Sequence, residues 1–490
     1  VSAVLLTDVR TAGDAHPRDV LVRNGEVSAI APAGELASER GVDQHDAAGR
    51  TLLPGLWDHH VHFTQWTIQR QRLDLTATES AREVLALVSE AARDASGRRR
   101  VVGFGFRDGL WPEPASLDAL DQATGPVPAV LVSADLHAVW LNSAAQHELC
   151  VRTDASGTLR ETEAFAVLEK LDSTADLTSE DYQQSAADAA AHGVVGVVDF
   201  ENDDNATLWP QRVASGVNSL RVEISAWPDK LAGVIARGLK TGDLLDPQGL
   251  VRMGPLKVIV DGSLNTRTAW CWDPYPGIPT GSPHRCGVEA VPVSELADLM
   301  TDAKNAGIVA AIHAIGDRAN TEVLNTFEQL GMTGTVEHAQ LLRDQDVPRF
   351  AELGLTASVQ PEHAMDDRDV ADVYWEGRTG RAFALQSLHQ AGVRLRLGSD
   401  APVSPLNPWA QVAAAVTRSR EGRAPWHPEQ AITVQTALEA STRAGLKVEQ
   451  GDLADLILVD YDPLTCDPYL LRSMPVAATM LAGSFTHFAL

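Results

Sequence analysis

The chain has 490 residues, enough for roughly three domains at about 150 residues each or for one large barrel with added modules, which excludes a single-motif protein. Forty Lys and Arg against 66 Asp and Glu leave a net charge of −26, a field that repels phosphate backbones and anionic membrane faces, so neither nucleic acid nor a membrane is an expected partner. Hydrophobic residues at 44% and charged residues at 22% match ordinary globular usage, which permits a sizeable core and argues against wholesale disorder.

The opening VSAVLLTDVR meets Asp8 at once and has no basic region before it, so it reads as a strand and not as a signal peptide. Residues 3–7, 20–24 and 26–31 form short β-type runs, and Asn24-Gly25 between the last two is a hairpin signal. Residues 453–460 and 477–481 near the other end are also short apolar strands. Neither end has room for a core of its own, so residues 1–50 and 446–490 are expected to combine into a composite β-sandwich.

Between these ends, apolar strand runs alternate with longer helical stretches such as Val293–Asn305 and Arg318–Gln329, the pattern of βα units on a parallel sheet. Eight strands are expected, at Thr51–Leu56 leading to His62, Val194–Phe200, Leu220–Ser225, Leu256–Val260, Ile308–His313, Gly334–His338, Leu355–Gln360 and Leu395–Asp400. The fold class is therefore α/β, with a TIM-like (β/α)8 barrel over residues 51–63 and 179–445. Residues 64–178, with a helix at Ala81–Ala95 and strands at Val101–Phe106 and Ala129–Val132, fall outside that count. They read as an insertion after the first barrel strand, placed to build a wall or lid for the pocket. No run approaches the roughly 18 apolar residues of a membrane span, and four cysteines are too sparse to staple the chain. A cytoplasmic protein acting on a small molecule is expected, and a homodimer is left open.

Polar residues at the C-terminal ends of barrel strands face the site in such folds. The first strand ends Asp58-His59-His60-Val61-His62, so His60 and His62, two residues apart, project from one face and can share an ion, while His59 points away. The fourth strand carries Lys257, the fifth ends at His313, the sixth at His338 and the eighth at Asp400. Each alone has an ordinary explanation as a satisfied or solvated polar group. Their joint occurrence on the expected strands points to a metal site. Nitrogen and oxygen donors without thiolates suit zinc, manganese or iron.

PGLWDHHVH, KVIVDGS, HAIGDRA, VEHAQ, SVQPEHA and LGSDAPV, with DLHAVWLNSAA in the insertion and GDLADLILVD near the end, resemble the amidohydrolase superfamily. Within it they are similar to the amidohydrolase-3 branch, which includes N-substituted formamide deformylase. The resemblance implies a composite β-sandwich on a (β/α)8 barrel and metal-dependent hydrolysis of amide-type bonds. It also implies that His60 and His62 bind one metal, that His313 and His338 bind the other, that Asp400 contacts the first, and that Lys257 bridges as an N-carboxylated lysine. Two divalent cations, expected as zinc with manganese or iron as alternatives, lower the pKa of a bridging water toward neutrality and polarise the substrate carbonyl. Asp400 then accepts the water's proton and passes it to the leaving amine.

The expected reaction is therefore hydrolysis of a non-peptide C–N bond in an amide, formamide or cyclic amide. The alternatives are a heterocycle deaminase with one metal, an esterase or lactonase of the same superfamily, and a non-catalytic scaffold barrel. For substrate contact the sequence offers His137, Glu161, His363 and Trp66, the last as part of an aromatic wall with Trp111, Trp140 and Trp270. Asp261 is expected to orient the loop that follows it. Cys271 and Cys286, with His284 between them, match no compact metal-binding spacing and read as loop thiols.

Overall fold

A computed structural model describes the chain apart from residues 1–2, 37–38, 40, 76, 95–99, 107, 109–110, 134–137, 161 and 174–176. It divides into two compact units, residues 1–63 with 179–490, and residues 64–178.

The first unit holds an eight-stranded parallel sheet, numbered here β1 (Leu56–Val61), β2 (Val194–Asp199), β3 (Arg221–Ala226), β4 (Val251–Ile259), β5 (Ala310–Ala314), β6 (Gly334–His338), β7 (Thr356–Val359) and β8 (Arg394–Leu397). Each strand pairs with its neighbour in chain order, as successive βα units require. Every residue of β1 and β2 is buried, which explains why these strands read as continuous apolar runs and not as alternating ones. The sheet closes on itself where the Asp400 N–H donates to the His60 carbonyl at 2.7 Å and the His62 N–H to the Ala401 carbonyl at 2.8 Å. The result is an α/β TIM-like barrel.

Helices cover the outside because their apolar positions recur at helical spacing. Asp317–Leu330 buries Ala319, Val323, Leu324 and Phe327, and Gly331 at φ 55° ends it in the left-handed conformation that glycine adopts without strain. No helix among the described residues is long and apolar enough to cross a membrane.

Strands from both ends of the chain share one mixed sheet of eight, in the order Ser484–Phe488, Val476–Leu481, Leu456–Val459, Thr51–Pro54, Ala3–Thr11, Asp14–Arg23, Glu26–Pro32, with Asp43–Asp46 beside Ala3–Thr11. Asn24 and Gly25 both have positive φ, 56° and 83°, and join Arg23 to Glu26 as the two-residue turn that the sequence signalled. The strand expected over Thr51–Leu56 is instead two. Thr51–Pro54 pairs antiparallel with Leu456–Val459, and the chain crosses at Gly55 into β1. Gly55 donates to the Asp455 carbonyl and Leu56 to that of Gly193, so consecutive residues bond to different sheets. A Cβ at Gly55 would lie 2.3 Å from Val195 Cγ1, so the crossing needs glycine.

The second unit is a five-stranded sheet, ordered Thr158–Arg160, Ala138–Leu141, Ala129–Ser133, Val101–Phe106, Leu73–Asp74, with helices such as Ala81–Asp94 and Leu117–Thr124. Val84, Val88, Leu120, Leu131 and Trp140 form one of its buried clusters.

Candidate metal centre

His60 is the most fully determined of the expected ligands. Its Nδ1 lies 2.6 Å from Glu337 Oε2 with both side chains 1% exposed. A carboxylate at that distance accepts a hydrogen bond from Nδ1–H, which keeps the proton on Nδ1 and leaves the lone pair on Nε2. Nε2 in turn faces Lys257 Nζ at 3.4 Å and Asp400 Oδ1 at 3.5 Å. Burial, followed by the nearby Lys257 charge, lowers the His60 pKa to about 4, so the imidazole is neutral at physiological pH. Neutral is the form that ligates a metal.

His62 Nε2 reaches Asp400 Oδ1 at 3.4 Å from the same face of the chain. Burial works against its protonated form, but the hydrogen bond it donates to Asp400 and that carboxylate's charge outweigh it and raise the pKa. His59 points away, as expected, and stacks on Trp57 with ring centroids 6.1 Å apart. Burial, then the charges of Arg396 and Arg443, hold it well below the usual histidine range. Asp58 Oδ1 accepts from the Ser399 and His60 N–H groups, tying β1 to the segment after β8, and burial pushes its carboxyl up to about 7.

Lys257 stands on β4 with 1% of its surface exposed and its Nζ 4.5 Å from the centroid of the Phe200 ring. Burial lowers its pKa by penalising the ammonium. At the end of β5, His313 Nε2 lies 3.4 Å from Asp261 Oδ1. The His313 ring is 4.4 Å from that of His338, and the His338 ring is 4.9 Å from that of His60. His338 and Ala339 have φ of 70° and 43°, a left-handed pair that non-glycine residues rarely adopt and that turns the chain at the end of β6. Burial, then the neighbouring His313, holds His338 well below the ordinary histidine pKa.

Asp400 completes the ring. Burial alone would raise its pKa, but His60, the His62 hydrogen bond, His338 and His363 together hold it well below the usual carboxylate range. One donor atom each from His60, His338 and Asp400 lie within 4.8 Å of one another. His338 Nδ1 and His313 Nε2 are buried without a hydrogen-bond partner among the described residues. Buried polar atoms without partners are costly unless something else engages them. Orphaned ring nitrogens beside a low-pKa carboxylate fit a divalent cation.

The six expected ligands line one cavity of about 510 Å³, with Ser263, Asn265, Gln340, Asp367 and Val403 among its other walls. His363 belongs to this cavity. Its ring lies nearly parallel to that of His338 at 6.1 Å, and its Nε2 is 3.8 Å from Asp400 Oδ2. Trp66 lies in the second unit on the helix Phe63–Arg70, where the Arg70 guanidinium sits 5.0 Å from its ring. His137 and Glu161 lie outside the described residues. Trp111 and Trp140 pack edge to face in the second unit, and Trp270 is buried under the Arg318 guanidinium. Asp261 does orient its loop, accepting from the N–H groups of Trp270, Ile315 and Gly316 at 2.8, 3.0 and 2.8 Å. Cys271 is buried against Tyr275, and burial pushes its thiol up to about 12.

Glu337 was not singled out from the sequence. The available signal was a carboxylate inside a buried strand, immediately before a candidate ligand.

The model of the family described as the amidohydrolase family matches residues 44–487. The chain belongs to the amidohydrolase family. Among curated relatives of this amidohydrolase, N-substituted formamide deformylase of Arthrobacter pascens is 26% identical over 98% of this chain and 97% of the relative. Protein LONG AFTER FAR-RED 3 of Arabidopsis thaliana is 26% identical over 94% and 86%. Among solved structures, an uncharacterized metal-dependent hydrolase from Pyrococcus furiosus superposes with a TM-score of 0.78 at 24% identity, covering 94% of this chain and all of that one. The amidohydrolase chain thus shares its fold with that protein.

Proposed function

We propose that this chain is a metal-dependent hydrolase of a non-peptide C–N bond, in an amide, formamide or cyclic amide. The observation that carries the reading is the orientation of His60, with Nδ1 bound to Glu337 and Nε2 turned toward Asp400 and Lys257. A histidine positioned by a buried carboxylate is the recurrent arrangement of metal-ligating imidazoles. Membership of the amidohydrolase family and the likeness to an N-substituted formamide deformylase support the bond type.

His60, His62, His313, His338 and Asp400 would hold the cations, expected as two zinc ions with manganese or iron as alternatives. When bound, they would polarise the substrate carbonyl and bring a water's pKa toward neutrality. Asp400 takes the proton from the attacking water and returns it to the leaving nitrogen, so one carboxylate serves as base and then as acid. Its low pKa keeps it ionised. His363 hydrogen-bonds the substrate from the side of the cavity where its Nε2 has no partner among the described residues. Lys257 is a candidate for N-carboxylation, because burial favours its neutral amine. That amine adds to carbon dioxide, forming an N–C bond and releasing one proton, and the ammonium that would repel cations becomes an anion.

The test is metal content per chain after purification without chelators, paired with intact mass looking for about 44 Da on Lys257. Two metals with the added mass, and hydrolysis of N-substituted formamides, support the reading. One metal with an unmodified lysine sinks the bridging role and favours deamination of a heterocycle.

A further inference from the structure

The metal centre leaves one wall of the cavity without a role. The helix Pro361–Tyr374, which follows β7, presents His363, Asp366 and Asp367 to the cavity. They stand at i, i+3 and i+4, hence on one helical face. Asp366 is already paired with Arg420 at 2.7 Å. Asp367 is not. Its Oδ1 accepts from Asn265 Nδ2 at 2.7 Å, and no Lys or Arg among the described residues lies within ion-pair distance of it. It stands beyond the first turn of the helix, where the N-terminal dipole no longer stabilises an anion. Burial raises its pKa and outweighs the neighbouring His363 and the Asn265 hydrogen bond, which lower it, and the Asp366 charge adds to the rise.

A partly buried carboxylate without a counter-cation is an unfavourable feature in a folded protein unless a ligand supplies the charge. A second acceptor stands in the same cavity. Gln340 is 3% exposed, its Nε2 is 3.5 Å from His363 Nδ1, and its Oε1 has no hydrogen-bond partner among the described residues. Leu264, Ile315 and Val403 add apolar lining. An aliphatic stem that ends in a positive charge matches this composition. We propose that Asp367, held by Asn265, is the specificity-determining carboxylate that binds a protonated amine on the part of the substrate remote from the scissile carbonyl.

This inference rests on the hydrolase reading of the same cavity. Its test compares N-alkylformamides ending in an ammonium group, in a series of increasing chain length, with neutral N-alkylformamides of matched length. The metal-loaded enzyme is expected to favour the best ammonium substrate at least about tenfold in kcat/KM, since charge-assisted hydrogen bonds are the strong ones. Asp367→Asn erases that ratio. Asp367→Lys inverts it toward a series ending in carboxylate, a gain that misfolding would not produce. Calorimetric binding of butylammonium and butanol to the protein as purified separates the two readings. If no formamide is hydrolysed but wild type binds butylammonium at least about tenfold more tightly than D367N does, the hydrolase reading fails and the Asp367 site stands. Equal ammonium preference in wild type and D367N overturns the proposal. A preference for uncharged N–H donors over ammonium overturns it too.

Discussion

Two buried aspartates stand at the C-terminal mouth of the barrel, Asp199 at the end of β2 and Asp400 three residues beyond the end of β8. Asp199 is saturated with protein donors. Its Oδ1 accepts from the N–H groups of Phe63 and Glu201, each at 3.1 Å, and its Oδ2 from Trp209 Nε1 at 2.7 Å. Asp400 instead faces imidazole nitrogens at 3.4 to 3.8 Å, from His60, His62 and His363. The same residue type at the same level of the barrel is a structural clamp on one side and an open donor on the other. Position at a strand end marks a residue as able to reach the site, and unspent bonding capacity marks it as available for chemistry.

The contrast is broken if the two aspartates respond alike to mutation. Asp400→Asn is expected to lower kcat/KM for any hydrolysed amide by about 10³-fold, because it removes the group proposed to accept and return the proton. The melting midpoint of the chelator-treated variant should fall less than that of Asp199→Asn, since among the described residues the Asp400 side chain has only its histidine neighbours as partners. Asp199→Asn should do the reverse. Losing a carboxylate that accepts three hydrogen bonds costs about 3 kcal/mol of stability, read from denaturant unfolding. At a temperature where the variant is folded, its turnover should stay near wild type. Equal stability losses in the two variants would erase the distinction.

Glu337 sharpens the comparison from the ligand side. Replacing it with Gln keeps the size but allows the amide to donate toward His60 Nδ1, which favours the wrong tautomer. Metal affinity is expected to fall 10–100-fold while the ligands themselves are untouched. Competition with a chromogenic chelator measures it. Unchanged affinity in E337Q would show that the 2.6 Å contact does not set the orientation of His60.

The Asp400 side of this contrast was readable in advance, and the unreadable parts have physical causes. β6 was legible to the residue, with Gly334 opening the strand and the candidate ligand His338 closing it, and the candidate ligands on or just after β1, β4, β5, β6 and β8 were legible because barrel strands deliver their last residues to one mouth. Glu337 was not, because its partner His60 lies 277 residues away and no local pattern links a strand carboxylate to a distant imidazole. The split at Gly55 was missed because Thr51–Leu56 is too short to read as parts of two strands, although Pro54-Gly55 is a break signal, and the packing of Val195 shows why the chain needs glycine where it changes sheets. Asp367 looked like one acid among several on its helix. What sets it apart is that Arg420 and Arg423 lie beside Asp366 and Asp369, a matter of which face meets which loop.

The smallest expected effect lies at the seam that joins the two ends of the barrel. Gly398 sits where β8 passes β1, and a Cβ there would lie 2.6 Å from the His60 backbone nitrogen and 2.7 Å from its Cβ. Those neighbours belong to the backbone and its first side-chain atom, so no rotamer change relieves the clash. Gly398→Ala must therefore push the strands apart at the point where the Asp400 N–H donates to the His60 carbonyl. A loss of about 1 kcal/mol is expected from such overpacking, with a metal affinity lower than wild type although no ligand has changed. Gly281 is the matched control, since a Cβ there meets nothing within 4 Å. If G398A and G281A melt together and titrate metal alike, the seam yields without moving His60. The spacing of His60 and Asp400 would then be set by the ligands they share and not by the closure of the barrel.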